Sequence, residues 1–336
     1  MKAAVLENNK FVIKNIPAPI LDEYVQGAII RVEGCGLCGS DIVKLQQNLV
    51  PDGSVLGHEV VGEIVEINSN TPFVKGDRVV LGHHIPCFAC QYCHGGNYSM
   101  CRHFKSTNIV PGGFAEYIYV TEEHLNNTVF YANLSLSSVE ASFTEPLACC
   151  IRAVKRAQII DNSKNLIVGL GSIGILMGEA VKAFGYEVYG CDLISQRAEI
   201  SEQYGFNKSF VLKNEEDTLK EMKKYAPIGF DTVFLTAGAS SALDFAVKAA
   251  RDGAKIIVFS SVKSDNGFKN NDIYYRELTV TGSYSSSPVD LEDSVSLLEE
   301  HRVNVLGLSK TYKLENINEA LNDTISNKIM KAYIEI

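Results

Sequence analysis

The chain has no run of lysines and arginines, no long apolar stretch, no internal repeat and no low-complexity segment. Each absence narrows what the protein does. Nucleic acids and acidic membrane surfaces are bound by clustered cations, whereas the formal net charge here is −9. Neither is expected as a partner. No apolar run is long enough to span a bilayer. The opening MKAAVLENNK has a short apolar stretch that soon meets Glu7, so no signal peptide is expected. Nine cysteines in a chain of 336 residues are therefore expected in a reducing compartment, the cytoplasm. They would serve there as metal ligands or core thiols rather than as a disulfide framework. The rest of the composition, 46% hydrophobic and 21% charged, is that of a globular protein with room for two domains.

Four of those cysteines stand close together in CFACQYCHGGNYSMC, at Cys87, Cys90, Cys93 and Cys101. Four thiolates this near in sequence close a tetrahedral shell around zinc without help from distant segments. A closed shell has no open position, so this metal is expected to hold structure. Zinc ribbons of this kind also occur in nucleic-acid binders, but those carry a basic face that this chain lacks.

Residues 1 to about 145 read as short strands and turns. AIIRVEGCG, GHEVVGEIVEI and GGFAEYIYV are rich in β-branched residues and glycine, and Arg78–Leu81 follows a turn at Lys75-Gly76-Asp77. The pattern fits a compact, mostly β domain. The style changes near Glu145. ACCIRAVKRAQI has helical spacing, and NLIVGLGSIGILMGEAVKAFG reads as strand, glycine turn and helix. The stretches YEVYGCDL, FDTVFLTAG and AKIIVFSS are further strands separated by helices. Strands alternating with helices imply a doubly wound parallel sheet, an α/β architecture. Periodicity does not assign the terminal ENINEALNDTI helix and MKAYIEI strand to either domain.

Gly169, Gly171 and Gly174 form G-x-G-x-x-G directly after the strand Leu166-Ile167-Val168 and at the start of a helix. In that setting the motif points to a dinucleotide. The first glycine permits a tight turn, the second lets backbone approach a pyrophosphate, and the third lets helix and strand pack closely. The backbone at Ser172, Ile173 and Gly174 would present N–H groups and the helix dipole to the phosphates. Asp192 ends the next strand, eighteen residues after Gly174. A carboxylate there accepts hydrogen bonds from the ribose hydroxyls of NAD and repels the extra phosphate of NADP. Arg197 lies nearby and is of the type that accommodates such a phosphate, so NAD is favoured over NADP without excluding it.

Three remaining segments hold residues of the types that bind catalytic zinc: Cys38, Ser40 and Asp41 in GLCGSD, His58 and Glu59 in GHE, and Glu145 in TEPLACC. Three protein ligands plus water is the open, catalytic pattern. Spacing alone also allows a buried thiol and a hydrogen-bonded histidine. Only a fold that brings the segments together makes them a site.

Taken in order, GLCGSD, LGHE, the cysteine cluster, GGFAEYI, EPLACC, GLGSIG and RELTVTGSY resemble the zinc-dependent medium-chain dehydrogenases over nearly the whole chain. EPLA and the glutamate of GHE resemble the sorbitol or L-iditol dehydrogenase-like branch. The resemblance implies a GroES-like catalytic domain at 1–147 and 288–336, interrupted by a Rossmann domain at 148–287. It implies that Cys38 and His58 ligate a catalytic zinc, with Glu59 and Glu145 as carboxylates at that metal. One of these would bind directly and the other directly or through water. It matches Cys87, Cys90, Cys93 and Cys101 to a structural zinc, making two zinc ions per chain. It also implies a homo-oligomer, a dimer or tetramer.

The chemistry accounts for these residue types. Hydride leaves an alcohol carbon readily once the oxygen has lost its proton, and an open zinc site promotes that loss at neutral pH. The open position is expected in the cleft between domains, beside the nicotinamide. In the family, a hydroxyl at the position of Ser40 relays the proton toward the cofactor ribose. A turn serine bonded to local backbone is the alternative. Asp41 would orient His58. Many relatives continue the relay with a histidine where this chain has Val43. Cys35, Cys149, Cys150 and Cys191 read as core thiols, His83 and His84 as loop histidines, and Arg276 as a cofactor contact, an interchain contact or a surface ion pair. The expected reaction is oxidation of a secondary alcohol, a polyol, to a ketone. A sugar-alcohol phosphate or L-threonine as substrate, and a non-catalytic binding protein on the same fold, are the rivals.

Overall fold

The computed structural model describes residues 1–21, 25–261 and 267–336. The chain divides into two compact units. The first comprises Met1–Ala148, Ser286–His301 and Val305–Ile336, and the second comprises Cys149–Ser285 with Arg302–Asn304. Within the stretch 288–336 expected in the first domain, the short segment Arg302–Asn304 groups with the second unit by its contacts. Arg302 donates to the carbonyl of Ala183, and the Asn304 amide donates to Glu179 Oε2 at 2.8 Å.

The first unit is built on the long strand Gly27–Leu37. Its neighbour Glu59–Ile67 (EVVGEIVEI) is rich in β-branched residues that pack well on a pleated surface. The main sheet runs in the order Ser309–Lys313, Lys331–Glu335, Gly27–Leu37, Glu59–Ile67, Arg78–Leu81, Val129–Tyr131. Tyr117–Thr121 pairs with the first half of Gly27–Leu37, and Lys331–Glu335 pairs with its second half. The terminal strand, which periodicity left unassigned, thus lies in this sheet. Ile30, Ile64, Leu81 and Phe114 form part of its buried core. A separate two-stranded ladder joins Lys2–Glu7 to Lys10–Asn15.

The second unit holds a six-stranded, wholly parallel sheet in the order Lys208–Val211, Glu187–Asp192, Lys164–Val168, Phe230–Leu235, Ala250–Val258, Thr279–Gly282. Parallel strands need crossovers, and the helices Ser172–Ala183, Ser195–Gln203, Glu215–Met222, Ser240–Ala249 and Asn270–Tyr275 supply them. The strand order reverses beside Lys164–Val168, which sends the turn at Gly169 to the carboxyl edge at the switch point, where open α/β sheets bind their ligands. Among the described residues no helix is long and apolar enough to cross a membrane.

Candidate active site and nucleotide turn

Strand register decides where the scattered ligand types meet. Gly36 lies opposite Glu59 on one edge of Gly27–Leu37, and Leu37 lies opposite Ala332 on the other. Cys38 directly follows that strand, so His58, Glu59 and Lys331 arrive beside it from two different neighbours. Cys38 Sγ, a His58 ring nitrogen and a Glu59 carboxylate oxygen lie within 4.8 Å of one another. Gly36 makes room for this, since a Cβ there would sit 1.9 Å from Glu59 Oε2.

Cys38 is also the N-cap of the helix Gly39–Gln46. Its Sγ accepts from the Ser40 amide at 3.4 Å, and Asp41 Oδ2 accepts from the Cys38 amide at 3.2 Å. Asp41 is buried, and its Oδ1 lies 3.4 Å from His58 Nδ1, which leaves the other ring nitrogen for a cation. Burial disfavours the His58 imidazolium, yet Asp41 and Cys38 outweigh it and raise the imidazole well above its ordinary value. Burial likewise pushes the Asp41 carboxyl up, and His58 and Lys44 draw it below the usual range. The field at the cluster therefore favours positive charge. Glu59 is 1% exposed, and its Oε1 has no hydrogen-bond partner. An orphaned carboxylate oxygen is costly unless a cation serves it. Thiol, imidazole and carboxylate are the donor types zinc takes, so the residues present fit the ion.

Lys331 is a residue of the candidate site that sequence reasoning missed. It is 4% exposed, and its Nζ lies 2.5 Å from Glu59 Oε2. Burial works against its charge, but Glu59, Cys38 and Glu145 raise its pKa above the ordinary value. Glu145, in the first turn of the helix Thr144–Ala157, is buried and acts on Lys331, but it is not part of the three-residue cluster. The two glutamates thus differ: Glu59 faces the thiol and imidazole, and Glu145 adds its charge beside the lysine.

The second donor set is local. The sulfurs of Cys87, Cys90, Cys93 and Cys101 lie within 4.8 Å of one another, with Cys87–Cys93 at 4.0 Å and Cys90–Cys93 at 3.6 Å. Zinc–sulfur bonds of about 2.3 Å in a tetrahedron put sulfurs roughly 3.8 Å apart, so the arrangement fits a closed shell. Burial raises the Cys101 thiol, but hydrogen bonds with Cys87 and Phe104 backbone outweigh it and bring it down to about 6. Phe104 and Tyr98 complete a small apolar cluster around these cysteines.

Two of the three glycines in the turn are sterically required. Gly169 has φ +100°, and a Cβ there would stand 2.8 Å from Ala237. A Cβ on Gly174 would stand 1.9 Å from the Gly169 carbonyl oxygen, whereas one on Gly171 would meet nothing within 4 Å. Gly171 caps the helix Ser172–Ala183 without a side-chain hydrogen bond, so no cap side chain takes up the amides of its first turn. Asp192 anchors this turn. Its Oδ2 accepts from the Leu170 amide at 2.6 Å, and its Oδ1 accepts from the Ile194 amide at 2.9 Å. Arg197 Nη1 lies 3.8 Å from Asp192 Oδ2.

With this geometry in place, comparison with known proteins identifies the kind of molecule. The model of the alcohol dehydrogenase GroES-like domain matches residues 26–128, and that of the zinc-binding dehydrogenases matches residues 172–300. A sorbitol dehydrogenase of Bacillus subtilis is 32% identical over 269 residues, covering 77% of this chain and 74% of that protein. The chain belongs to the zinc-dependent medium-chain dehydrogenase family. A sorbitol dehydrogenase of Halalkalibacterium halodurans is 29% identical over 315 residues, covering 91% of this chain and 90% of that protein. The solved galactitol-1-phosphate dehydrogenase of Escherichia coli is 26% identical with a TM-score of 0.88, and the match covers 100% of both chains. As a medium-chain dehydrogenase with GroES-like and Rossmann domains, the chain is an oxidoreductase acting on the CH–OH group of an alcohol or polyol.

The other residues singled out in this dehydrogenase find varied places. Ser40 is exposed in the first turn after Cys38, and Val43 is exposed on the same helix. Cys35, Cys150 and Cys191 are buried in the core, and Cys149 is half-buried. His83 and His84 are indeed in a loop, but half-buried and stacked: the His83 ring lies 4.6 Å from His58 and 3.9 Å from His84, which in turn lies 4.9 Å from Phe104. Arg276 is a structural tie. It pairs with Asp252 at 2.7 Å and donates to the carbonyls of Val247 and Ala250 at 2.8 and 2.6 Å, closing the end of Ser240–Ala249.

Proposed function

We propose that this protein oxidises a secondary alcohol of a polyol to a ketone with NAD as hydride acceptor, using one catalytic and one structural zinc ion. The convergence of Cys38, His58 and Glu59 on one point carries the reading. These three residues would hold the catalytic zinc, and Cys87, Cys90, Cys93 and Cys101 the structural one. Bound there, zinc favours loss of the substrate's hydroxyl proton and, in the reverse direction, polarises the carbonyl. Asp41 holds the His58 ring through Nδ1. Lys331 holds Glu59 through Oε2 and leaves Oε1 for the metal. Glu145 offsets the charge of Lys331 and would be the second carboxylate available to the metal. Ser40, exposed beside the thiol ligand, would accept the hydroxyl proton while releasing its own to solvent water. The Gly169–Gly174 turn receives the pyrophosphate on backbone amides, and Asp192 receives the adenosine ribose. Both Asp192 oxygens already accept an amide, but each carboxylate oxygen retains a further lone pair. The pairing of Arg197 with Asp192 supports NAD, because it engages the cation that an extra phosphate would need.

The test is a panel of polyols, simple secondary alcohols, polyol phosphates and threonine, each with NAD or NADP, followed by absorbance of the reduced cofactor. Turnover of a polyol with NAD preferred is the expected result. Zinc-loaded protein that oxidises none of these with either cofactor would overturn the reading.

A further inference from the structure

The glycine turn is clamped at a second point, by a threonine outside the motif. Thr236 directly follows the strand Phe230–Leu235, which lies beside Lys164–Val168 on the side opposite Glu187–Asp192. Its hydroxyl lies 2.6 Å from the Gly169 carbonyl and 3.0 Å from the Val168 carbonyl. The Val168 carbonyl already accepts the amides of Thr236 and Ala237, each at 3.0 Å, so the one hydroxyl proton serves Gly169. From the other side, Asp192 Oδ2 accepts from the Leu170 amide at 2.6 Å. The peptide group joining Gly169 to Leu170 is thus pinned at its oxygen from one flanking strand and at its nitrogen from the other.

This peptide group needs holding. Gly169 has no side chain and a φ of +100°, so its own conformational preference resists rotation little. Turned around, the carbonyl would bring partial negative charge into a turn whose N–H groups and helix end favour an anion. Held as it is, the oxygen lies against Gly174, where a Cβ would stand 1.9 Å from it and 3.3 Å from Thr236 Oγ1. The space that excludes a side chain at the third glycine is therefore set by where Thr236 keeps this oxygen. Resting on the dinucleotide reading of the turn, we propose that Thr236 is a positioning residue for the cofactor, whose hydroxyl keeps the Gly169 carbonyl from facing a bound pyrophosphate. It acts through the turn and not by touching the nicotinamide. Thr236 isolates this effect better than Asp192 does, because Asp192 is also the acceptor proposed for the ribose.

The experiment titrates NADH and ADP-ribose into the parent, Thr236→Val and Thr236→Ser, read by calorimetry. Valine keeps the shape and removes the hydroxyl, whereas serine keeps the hydroxyl and loses the methyl. Thr236→Val should weaken both ligands by about ten-fold and to the same extent, since both carry the pyrophosphate. Thr236→Ser should bind both within about two-fold of the parent. If the valine variant does not fold, Thr236→Ala takes its place in the same comparison. A hydroxyl-free variant that binds both ligands as the parent does overturns the proposal. So does a serine variant that loses as much as the valine one, because packing of the methyl would then be what matters. A loss confined to NADH also overturns it, since that is the mark of direct contact with the nicotinamide half. A parent that binds neither NADH nor ADP-ribose overturns the cofactor reading itself and this proposal with it, whereas a parent that binds both while the variants do not differ from it sinks the role of Thr236 alone.

Discussion

Replacing Lys331 by methionine removes the only cation seen within ion-pair reach of Glu59 among the described residues, while keeping most of the side-chain volume. Both partners are almost fully buried, at 4% and 1% exposure, so water does not take over the role of the ammonium. Breaking such a pair from one side costs about 3–5 kcal/mol, because the remaining charge stays buried and uncompensated. For a unit of roughly 200 residues this is a fall in melting temperature of about 6–20 °C. The loss should depend on metal. With zinc bound, Glu59 keeps a cation on Oε1 and the penalty shrinks. With zinc removed by a chelator, Glu59 and Glu145 face each other's field across an apolar methionine. The assay is thermal unfolding of parent and Lys331→Met, each zinc-loaded and chelated, with Lys331→Met/Glu59→Gln completing the cycle. The chelated variant should lose more than the loaded one, and the double variant should recover most of the difference. A chelated Lys331→Met protein that melts within about 1 °C of the chelated parent would refute the claim that Lys331 holds Glu59 in place.

Other outcomes follow from the same geometry. Metal analysis should give two zinc ions per chain; Cys38→Ser should lose one together with turnover while keeping its circular dichroism, and Cys93→Ser should lose the other with a marked fall in melting temperature. Asp192→Gly should shift the ratio of kcat/KM toward NADP and also raise KM for NAD, because it frees the Leu170 amide that Asp192 now anchors at 2.6 Å. Glu33 bears on acid stability. Burial pushes its carboxyl up, but hydrogen bonds from Arg78 and Ser138 outweigh this and hold it below the ordinary value of 4.5. Its contribution is therefore complete above pH 4.5 and is lost as the pH falls below that value through the folded one. Glu33→Gln should flatten this part of the stability profile, read by urea midpoints at a series of acidic pH values.

The parts of this protein that were readable in advance are those whose physics is local. The cysteine lobe closes within fifteen residues, so spacing alone brings four sulfurs together. The glycine turn is likewise set by φ and by close approach at Gly169 and Gly174, which no other residue type satisfies. Alternating strand and helix patterns were enough to announce the parallel sheet. The helix Gly39–Gln46 was less visible, because its cap is the thiol of Cys38 rather than a residue usual at that position.

What lies between remote segments was decided by strand register. Nothing in GLCGSD or LGHE says that Gly36 will face Glu59, and a shift of one residue would turn Glu59 to the other side of the sheet. Lys331 carried no signal at all: it begins a short terminal strand with a charge at a position that reads as surface, and only the pairing of Ala332 with Leu37 takes it beside Cys38. Sequence determined which residue types were available for zinc and dinucleotide. Tertiary structure decided which acid meets the thiol and imidazole and which cation balances it, because contacts across a sheet depend on hydrogen-bond register between strands hundreds of residues apart, and register is a property of the whole core.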